Sequence, residues 1–513
     1  MSSAFQKVTV PPMDEYNNKL ISYVHPPDWN NPQPSDRYDL VVIGAGTAGL
    51  VVAAGAAGLG LGLKVALIEK HLMGGDCLNV GCVPSKCIIR SARVVGEMRH
   101  AQAFGIHPPQ EIEVDFPAVM KRMRKLRAGI SHHDSAQRFQ KLGIDVFLGA
   151  GRFLANNSIE VAGKTLRYKK AVIATGARAV RPSIEGIEEA GFLTNETVFS
   201  LTERPKRLAV IGGGPIGCEL AQAFSRLGCQ VILFHRHSHL LDKEDADAAE
   251  IIQNAFIDEG IHLVLNSQIE RVKKSTDGKT IYFTSNGTKQ SIVVDEILVG
   301  AGRAPNVESL NLKAVGVEYD RQGVQVNDYL QTTNPNIYAA GDICMNWKFT
   351  HAADAAARIV IKNTLFSPFG LGRSKLSNLV MPWVTYTDPE IAHVGMSDHQ
   401  AQSQGISVDT IKISMSNVDR AIADGEESGF VKIHHKKGSD EILGATIVAS
   451  HAGEMISEVT TAIVNKVGLN GLSSVIHPYP TQAEGIKKAA DAYRRTLLTP
   501  TSQKFLGLLT KLS

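Results

Sequence analysis

The sequence predicts an α/β protein with two Rossmann-like dinucleotide-binding domains and a C-terminal α+β domain. A glycine-rich turn joins an apolar strand to a helix near residue 44, and the same pattern returns near residue 212. No such turn follows residue 382, which marks the last domain. At roughly 150 residues per domain, a chain of 513 residues has room for three or four domains.

Composition and charge exclude several classes of protein. Apolar residues make up 43% of the chain and charged residues 20%, which is the balance of a folded globular protein. The net charge of +3 gives no electrostatic basis for binding nucleic acid, so we expect no nucleic-acid partner. Six cysteines are too few for a secreted disulfide scaffold.

The first glycine-rich turn belongs to a complete dinucleotide fingerprint. Tyr38–Ile43 is an apolar run typical of a buried parallel strand, and Val65–Ile68 predicts the next strand. Glu69 follows that strand and can accept hydrogen bonds from ribose hydroxyls. Three glycines allow the tight turn, the close approach of a pyrophosphate and the contact between helix and strand: Gly44, Gly46 and Gly49.

Two stretches raise the question of location. Leu40–Leu63 is 24 uncharged residues, long enough to span a bilayer, but its glycine spacing favours the nucleotide turn. We therefore expect no membrane insertion, with a glycine-rich transmembrane segment as the alternative. Residues 1–36 are polar, contain six prolines and lack the layout of a signal peptide, so they predict an extended N-terminal arm and a cytoplasmic protein. Residues 504–512 predict a packed or frayed end rather than a membrane anchor.

A second fingerprint begins at the strand Arg207–Ile211. Cys218–Leu227 predicts the helix and Gln230–Phe234 the following strand. The turn repeats the glycine spacing with Gly212, Gly214 and Gly217. Two dinucleotide folds in one chain indicate two nucleotides and electron transfer from one to the other.

The second fingerprint ends in His235 and Arg236, without an acidic residue. An acid would repel a 2′-phosphate, whereas Arg and His attract one, so the sequence favours NADPH over NADH. The histidines at 235, 237 and 239 could bind a metal. Alternate residues that leave a strand point to opposite faces, however, so we expect no resident metal.

Two cysteines five residues apart, Cys77 and Cys82, follow the first fingerprint. Gly81 precedes a helix that starts at Cys82, so the pair can close a small disulfide ring where the helix N-terminus stabilises a thiolate. Lys86, one turn further on, adds positive charge on the same side. We interpret the pair as a redox couple. A structural disulfide or half of a zinc site is the alternative, although no further zinc ligands lie nearby.

Beyond residue 382 the pattern changes to a mixed domain. Gly429–His434 and Glu441–Ala449 predict strands, and Ala452–Val467 and Ala483–Arg494 predict helices. A domain without its own nucleotide site often serves for association, so a homodimer is expected.

Together these motifs resemble the dimeric flavoprotein disulfide reductases, the class I pyridine nucleotide-disulfide oxidoreductases that include glutathione reductase, dihydrolipoamide dehydrogenase and mercuric reductase. The resemblance covers about residues 38–495, and its most specific marker is GGDCLNVGCVPSK at residues 74–86. Ala174–Gly176 is similar to the family's crossover into the second nucleotide domain. Gly302–Asn306 is similar to the segment by which the chain returns from that domain, and Thr333–Asp342 is similar to the second FAD motif.

The resemblance implies that FAD binds at the first fingerprint, with Asp342 on its ribityl chain, and that NADPH binds at the second. It implies that Cys82 is the thiolate facing the flavin, that Cys77 is the interchange thiol, and that Lys86 pairs with Glu219. Further cofactor-binding residues are expected at Lys70, Gly75, Thr175, Gly176, Gly302, Arg303 and Gly341. The expected domains are an arm (1–36), an FAD domain (37–190 and 305–375), an NAD(P)H domain (191–304) and an interface domain (376–513).

Near the end of the chain the sequence departs from the disulfide reductases. In that family a His-Pro pair acts across the dimer interface on the leaving thiol, and a glutamate five residues beyond the histidine orients it. Here Glu484 matches only if Tyr479 takes the histidine's place. Aligning His477 instead leaves Glu484 seven residues on, so we favour Tyr479, with His477 as the alternative. Tyrosine, with a pKa of about 10, is a poor base near neutral pH.

Mercuric reductases also carry tyrosine at this position, because a soft metal ion needs thiolates and no proton relay. This chain lacks that family's vicinal cysteines, as its last cysteine is Cys344. The sequence therefore predicts a mercuric-reductase-like enzyme that uses FAD and NADPH to reduce a small acceptor, a soft metal ion such as Hg(II), with the substrate metal at Cys77 and Cys82. A disulfide reductase of unknown substrate is the first alternative. A redox sensor or electron-relay flavoprotein that acts on a protein partner is the second.

Overall fold

The computed structural model describes residues 8–512 and confirms the α/β fold class. Up to residue 190 the elements are α1 (Glu15–Val24), β1 (Tyr38–Ile43), α2 (Thr47–Ala57), β2 (Val65–Glu69), α3 (Gly75–Val80), α4 (Cys82–His100), α5 (Phe116–Ile130), α6 (Ala136–Lys141), β3 (Ile144–Leu148), β4 (Gly151–Ala155), β5 (Ser158–Val161), β6 (Lys164–Ile173), β7 (Ala177–Ala179) and α7 (Ile187–Ala190).

Between residues 207 and 365 the elements are β8 (Arg207–Ile211), α8 (Pro215–Arg226), β9 (Gln230–Phe234), α9 (Ala246–Asp258), β10 (His262–Val264), β11 (Ser267–Ser275), β12 (Gly278–Ser285), β13 (Thr288–Val294), β14 (Glu296–Val299), β15 (Arg303–Pro305), β16 (Tyr319–Asp320), β17 (Gly323–Val324), β18 (Ile337–Ala339) and α10 (Thr350–Leu365). The last stretch contains β19 (Pro382–Thr385), β20 (Glu390–Gly395), α11 (Asp398–Ser403), β21 (Val408–Ser414), α12 (Asp419–Asp424), β22 (Phe430–Lys436), β23 (Ile442–Ala449), α13 (Ala452–Val464), α14 (Leu469–Ser473), α15 (Glu484–Thr496) and α16 (Pro500–Leu509).

The first sheet has the strand order β3-β2-β1-β6-β5-β4, and β18 also pairs with β6. Strands β1, β2, β3, β6 and β18 run parallel, and their apolar side chains are buried on both faces. Because Ile43 pairs with Ile68, Gly44 and Glu69 leave the sheet side by side. The first glycine turn therefore lies at the carboxyl ends of parallel strands, where such sheets bind ligands.

The second sheet repeats this arrangement with the order β10-β9-β8-β14, all parallel. Ile211 pairs with Phe234, so Gly212 and His235 leave this sheet side by side, as Gly44 and Glu69 do in the first. A three-stranded antiparallel sheet, β11-β12-β13, follows it in the chain.

The chain passes between these two units twice, and the crossings are joined to each other. Strands β7 and β15 pair antiparallel. The hydroxyl of Thr175 donates to the carbonyl of Asn306 at 2.9 Å, and the Asn306 amide donates back to the carbonyl of Thr175 at 2.9 Å. Gly176, with a φ of +66°, and Gly302, with a φ of +81°, provide the sharp turns that residues with side chains rarely adopt.

The last sheet is antiparallel, with the order β19-β20-β23-β22-β21. Helices α13 and α15 contribute apolar side chains to the core beside this sheet, including Ile456 and Ile486. Helix α16, in contrast, has no buried residue.

The prediction of an extended arm is wrong between residues 15 and 24, which form helix α1. Leu20 and Val24 are fully buried in the core of the first sheet. Asp14 caps the helix by accepting hydrogen bonds from the backbone N–H groups of residues 16 and 17. Asn31 then exchanges two hydrogen bonds with the backbone of Leu148, at the edge strand β3. Proline content had suggested extension, but the apolar spacing of α1 packs it onto the domain.

Candidate active site

The first glycine turn leaves no room for side chains. A Cβ on Gly49 would lie 1.8 Å from the carbonyl oxygen of Gly44. Gly44 itself has a φ of +103°, and a Cβ there would lie 2.3 Å from the carbonyl oxygen of Ala174. No side chain caps the N-terminus of α2, whose N-cap residue is Gly46, and this fits the pyrophosphate of a dinucleotide such as FAD.

Gly46 and Gly75 bring this turn into contact with the segment that carries the cysteines. Gly75 has a φ of +58°, and a Cβ there would lie 2.6 Å from Cα of Gly46. The two backbones therefore touch, and the dithiol segment begins directly on the nucleotide turn.

Glu69 is buried and holds the first turn in place. Its carboxylate accepts from the backbone N–H of Ala45 at 2.7 Å and from that of His71 at 2.8 Å. Burial raises the pKa of Glu69, while these hydrogen bonds oppose the rise. Lys70, the next residue, is exposed.

The second turn shares this design but differs at one glycine. A Cβ on Gly217 would lie 1.8 Å from the carbonyl oxygen of Gly212, so this contact repeats the first turn. A Cβ on Gly214 would have no atom within 4 Å. The space beside Gly214 is therefore open on the protein side, which fits the close approach of a nucleotide phosphate.

His235 takes the place of Glu69 in the second turn. Its Nδ1 accepts from the backbone N–H of Gly213 at 3.1 Å, and the residue is only 7% exposed. Burial lowers the pKa of His235, so its imidazole is neutral near pH 7. The expectation that His235 attracts a 2′-phosphate is therefore corrected: this ring supports the turn. Arg236 is exposed, and its Nε lies 2.9 Å from Nε2 of His237.

Arg303 connects the cysteine segment to the residue expected to hold the ribityl chain. Its guanidinium forms an ion pair with Asp76, and its Nε lies 3.2 Å from Oδ2 of Asp342. It also donates to the carbonyl of Ala177 at 2.7 Å. Gly341, with a φ of +83°, packs between helices α2 and α10. The structure thus brings Asp342 and the first turn to the same place, as an FAD site requires.

Cys77 and Cys82 are free thiols, the first in the short helix α3 and the second at the start of α4. The Cys82 sulfur lies 3.4 Å from the hydroxyl oxygen of Thr350, the first residue of α10. Helices α4 and α10 therefore both direct their N-termini at Cys82. The positive end of a helix dipole stabilises a thiolate, so this position favours ionised Cys82.

The two thiols differ strongly in acidity. A hydrogen bond from Cys77 is the main cause that lowers the pKa of Cys82 to about 6. Partial burial opposes this, while Thr350 and the ammonium group of Lys86 act in the same direction as Cys77. The same hydrogen bond and burial raise the pKa of Cys77. At neutral pH the dithiol carries one thiolate, on Cys82.

Lys86 and Glu219 form the ion pair that the resemblance implied. Nζ of Lys86 lies 2.8 Å from Oε2 of Glu219, which is almost fully buried on α8. Burial disfavours the charged amine, but the Glu219 carboxylate outweighs it and raises the pKa of Lys86. The other Glu219 oxygen accepts from the backbone N–H of Tyr386 at 2.9 Å, and the Lys86 ammonium lies 4.5 Å from the centre of the Tyr386 ring.

The structure separates the two candidates for the acid–base residue. Tyr479 is 71% exposed and donates from its hydroxyl to Asp419 at 3.0 Å, a contact that raises the pKa of Tyr479. The side chain of His477 is only 6% exposed and pairs with Glu458 at 2.7 Å. Glu484 begins α15, and its Oε1 lies 3.5 Å from Lys488. The side chain of Tyr479 is therefore exposed, whereas that of His477 is buried.

Three contacts at the site were missed by sequence reasoning: those of Thr350, Tyr386 and Asp76. Thr350 lies 268 residues from Cys82 in the chain, and nothing local to it signals a thiol. Asp76 is adjacent to Cys77 in the GGDC sequence, so its position in the motif was the available signal.

Membrane spans and metal clusters are both absent from the described part of the chain. Within residues 8–512 no helix is long and apolar enough to cross a bilayer. The side chains that the structure describes also include no group of three or more His, Cys, Asp or Glu residues that could hold a metal ion.

The chain is similar to known proteins both in sequence and in structure. The family described as pyridine nucleotide-disulphide oxidoreductase matches residues 38–357, and its dimerisation domain matches residues 381–490. Mercuric reductase from Lysinibacillus sphaericus is 36% identical over 456 residues, which is 89% of this chain and 82% of the relative. Dihydrolipoyl dehydrogenase from Chlamydia muridarum is 34% identical over 460 residues, 88% of this chain and 95% of the relative. The Cu(II) complex of the HOCl-induced flavoprotein disulfide reductase RclA from Escherichia coli aligns with a TM-score of 0.77 and 27% identity, over 88% of this chain and 98% of that one.

Proposed function

Because the chain belongs to the pyridine nucleotide-disulphide oxidoreductase family, whose members use FAD and NAD(P)H, we propose that it is an NADPH-dependent enzyme that reduces a soft metal ion, Hg(II) being the type case. The exposed Tyr479 at the position of the family's histidine carries this proposal. The relatives named as mercuric reductases and the Cu(II) complex of RclA support it.

When bound, FAD supplies the two-electron chemistry that links NADPH to the cysteines. The residues expected to hold it are Gly44, Gly46, Gly49, Glu69 and Asp342. NADPH would bind at the second turn, with its pyrophosphate beside Gly214. The exposed Arg236 would favour the 2′-phosphate of NADPH over the ribose of NADH.

Cys77 and Cys82 would bind the metal ion. Thiolates are soft ligands, and Cys82 is a thiolate at neutral pH because of its lowered pKa. Cys77 is the harder thiol to ionise, so metal binding would displace its proton. The ammonium group of Lys86 and the carboxylate of Glu219 would remain as an ion pair beside the two cysteines. Two electrons pass from NADPH to the metal, so NADPH and Hg(II) give NADP⁺, a proton and Hg(0).

In a dimer, Tyr479 would face the active site of the partner subunit. Asp419 raises its pKa further above the ordinary value of about 10, so it is a poor proton donor near pH 7, and a thiolate leaving group would find no donor of suitable acidity. Metal reduction has no such requirement, since the metal leaves without a proton.

Disulfide reduction is the second candidate function. The relative named dihydrolipoyl dehydrogenase, 95% of which is covered by this chain, favours it, as does the similarity to RclA, which is described as a flavoprotein disulfide reductase. In this case His477 would have to leave Glu458 and act as the base.

The test is NADPH consumption by the purified holoenzyme with Hg(II), Cu(II), oxidised glutathione, lipoamide and a quinone. We expect turnover with Hg(II) or Cu(II) at least 10² times that with either disulfide, from the usual contribution of about 10²–10⁴ of an acid–base group. Brisk turnover of a disulfide, with no metal reduction, would overturn the proposal. Cys82→Ser should abolish reduction of either kind of acceptor.

A further inference from the structure

The segment before residue 38 lies outside the part of the chain that the family matches, yet it is connected through Arg127 to α3, the helix that carries Cys77. Helix α1 is fixed at its start by Asp14, whose Oδ2 lies 2.6 Å from Nε of Arg124 on α5. Its buried face then packs Leu20 and Val24 into the core of the first sheet. These contacts hold α1 against α5 and the first sheet.

Asn17, on the buried face of α1, is 0% exposed, and its side chain makes three hydrogen bonds. Its Nδ2 donates to the carbonyl of Val10 at 3.0 Å and to that of Pro12 at 2.8 Å. Its Oδ1 accepts from Nη2 of Arg127 at 2.7 Å. The amide is thus oriented by its own segment, and it offers one oxygen to the guanidinium.

Arg127, on α5, is a buried cation that donates its hydrogen bonds to neutral oxygens. It is 2% exposed, and none of the carboxylates whose side chains the structure describes forms an ion pair with it. Burial lowers the pKa of Arg127 to about 10, so it remains charged at neutral pH. Its second terminal nitrogen, Nη1, donates to the backbone carbonyl of Asn79 at 2.6 Å. Leaving either nitrogen without its oxygen would be costly, because a buried charged donor needs its partners.

Asn79 lies in α3, between the two cysteines. Its side chain donates to the carbonyl of Met73 at 3.0 Å and to that of Gly75 at 2.8 Å, which fixes the start of α3. Its own carbonyl, at the end of α3, is the one that Arg127 holds. The position of α3 in turn places the Cys77 thiol relative to Cys82.

We propose that Asn17 is a positioning residue for the dithiol: through Arg127 it holds α3, the helix that carries Cys77, in place beside Cys82. The proposal rests on the proposed function only in taking these two cysteines as the redox pair. It gives the segment before residue 38 a part in the chemistry, because loosening α3 would move the Cys77 thiol relative to Cys82.

The test compares Asn17→Ala with the matched control Asn18→Ala, since Asn18 is the exposed neighbour on the same helix. The holoenzyme is reduced anaerobically, and the rate of Cys82 alkylation by iodoacetamide is followed against pH by mass spectrometry. We expect the midpoint for Asn17→Ala to rise by about half to one pH unit, since part of a hydrogen bond to the thiolate is lost, and that for Asn18→Ala to match the wild type. A lower melting temperature without a change of midpoint would overturn the proposal.

Arg127→Lys provides a second variant in case Asn17→Ala does not fold. Lysine keeps the buried charge but lacks the planar fork that reaches both oxygens, so the midpoint should rise in the same direction. An unchanged midpoint would show that charge alone, and not the bridge, matters, and the proposal would fail. Failure of the proposed function would look different: the wild type would reduce no acceptor with NADPH, whereas the alkylation midpoints of the variants would still differ.

Discussion

Nε2 of His477 lies 2.7 Å from Oε1 of Glu458, and this pair holds the histidine inside its own chain. A residue that acts on the partner subunit must instead project from the surface, as Tyr479 does. The relationship between His477 and Glu458 therefore supports the proposal that Tyr479 takes the histidine's place, and it leads to the first expectation.

His477→Ala should lower stability by about 1–3 kcal/mol, because Glu458 loses its partner, but should leave the kcat for Hg(II) unchanged. Tyr479→Phe should also leave the metal reaction unchanged. Tyr479→His should raise turnover of lipoamide or oxidised glutathione by part of the usual factor of about 10²–10⁴. Steady-state assays of all three variants with both kinds of acceptor check this. Loss of disulfide turnover on His477→Ala alone would restore the alternative alignment.

Gly214→Ala should separate nucleotide binding from folding. A Cβ there meets no protein atom within 4 Å, so the variant should fold and retain its FAD content, while its KM for NADPH rises because the methyl group occupies the phosphate space. Gly129→Ala is the control, as that position in α5 is equally open and belongs to neither turn. KM and the flavin absorbance per chain are the measurements. Equal KM values for the two variants would contradict the placement of the pyrophosphate.

Arg236→Glu should weaken the binding of NADPH and leave the binding of NADH unchanged, because the carboxylate repels the 2′-phosphate. We expect an increase in KM for NADPH of roughly tenfold or more, which corresponds to about 1.4 kcal/mol or more of binding free energy. The pair of KM values for the two nucleotides measures it. A wild type with the lower KM for NADH would remove the basis for this expectation.

The thiolate of Cys82 should titrate near its lowered pKa of about 6. A depressed pKa means that the thiolate is present above the midpoint and is lost as pH falls through it. Alkylation of Cys82 in the reduced protein should therefore be half-maximal near pH 6. Lys86→Met removes a nearby positive charge, so the midpoint should move up toward 9.0, the ordinary value for a thiol. A midpoint that stays in place would show that Lys86 does not act on Cys82.

The second turn should be sensitive to acid, because His235 supports it as a neutral acceptor. The pKa of His235 is lowered from 6.5 in the folded state, so the unfolded state takes up the proton first as pH falls below 6.5. Protonation of Nδ1 removes the bond to Gly213. Stability should therefore decrease from about pH 6.5 downward, and NADPH affinity should decrease only at the lower pH where His235 of the folded protein takes up its proton, whereas His235→Asn should flatten both dependences. Calorimetry and nucleotide titration against pH are the measurements.

The sequence predicted the site residues that lie close together along the chain, but not those that reach the site from distant parts of the chain. The glycine turns, Glu69 and the Cys77–Cys82 pair are readable because their function is encoded within about 30 residues of continuous chain. The role of His235 was misread although a signal existed: it follows the strand pair Ile211–Phe234 as Glu69 follows Ile43–Ile68. Thr350 and Asn17 carried no signal, because their contacts to the site depend on packing between separate elements.

The contact between Gly46 and Gly75 has a consequence for how this protein can vary. Since the two backbones meet without side chains, the nucleotide turn and the dithiol segment cannot change independently. A methyl group on Gly75 would push the cysteines away from the position set by the turn. An engineered exchange of one of these segments should therefore bring a matching partner for the other, because the contact fixes the distance between the flavin turn and the dithiol.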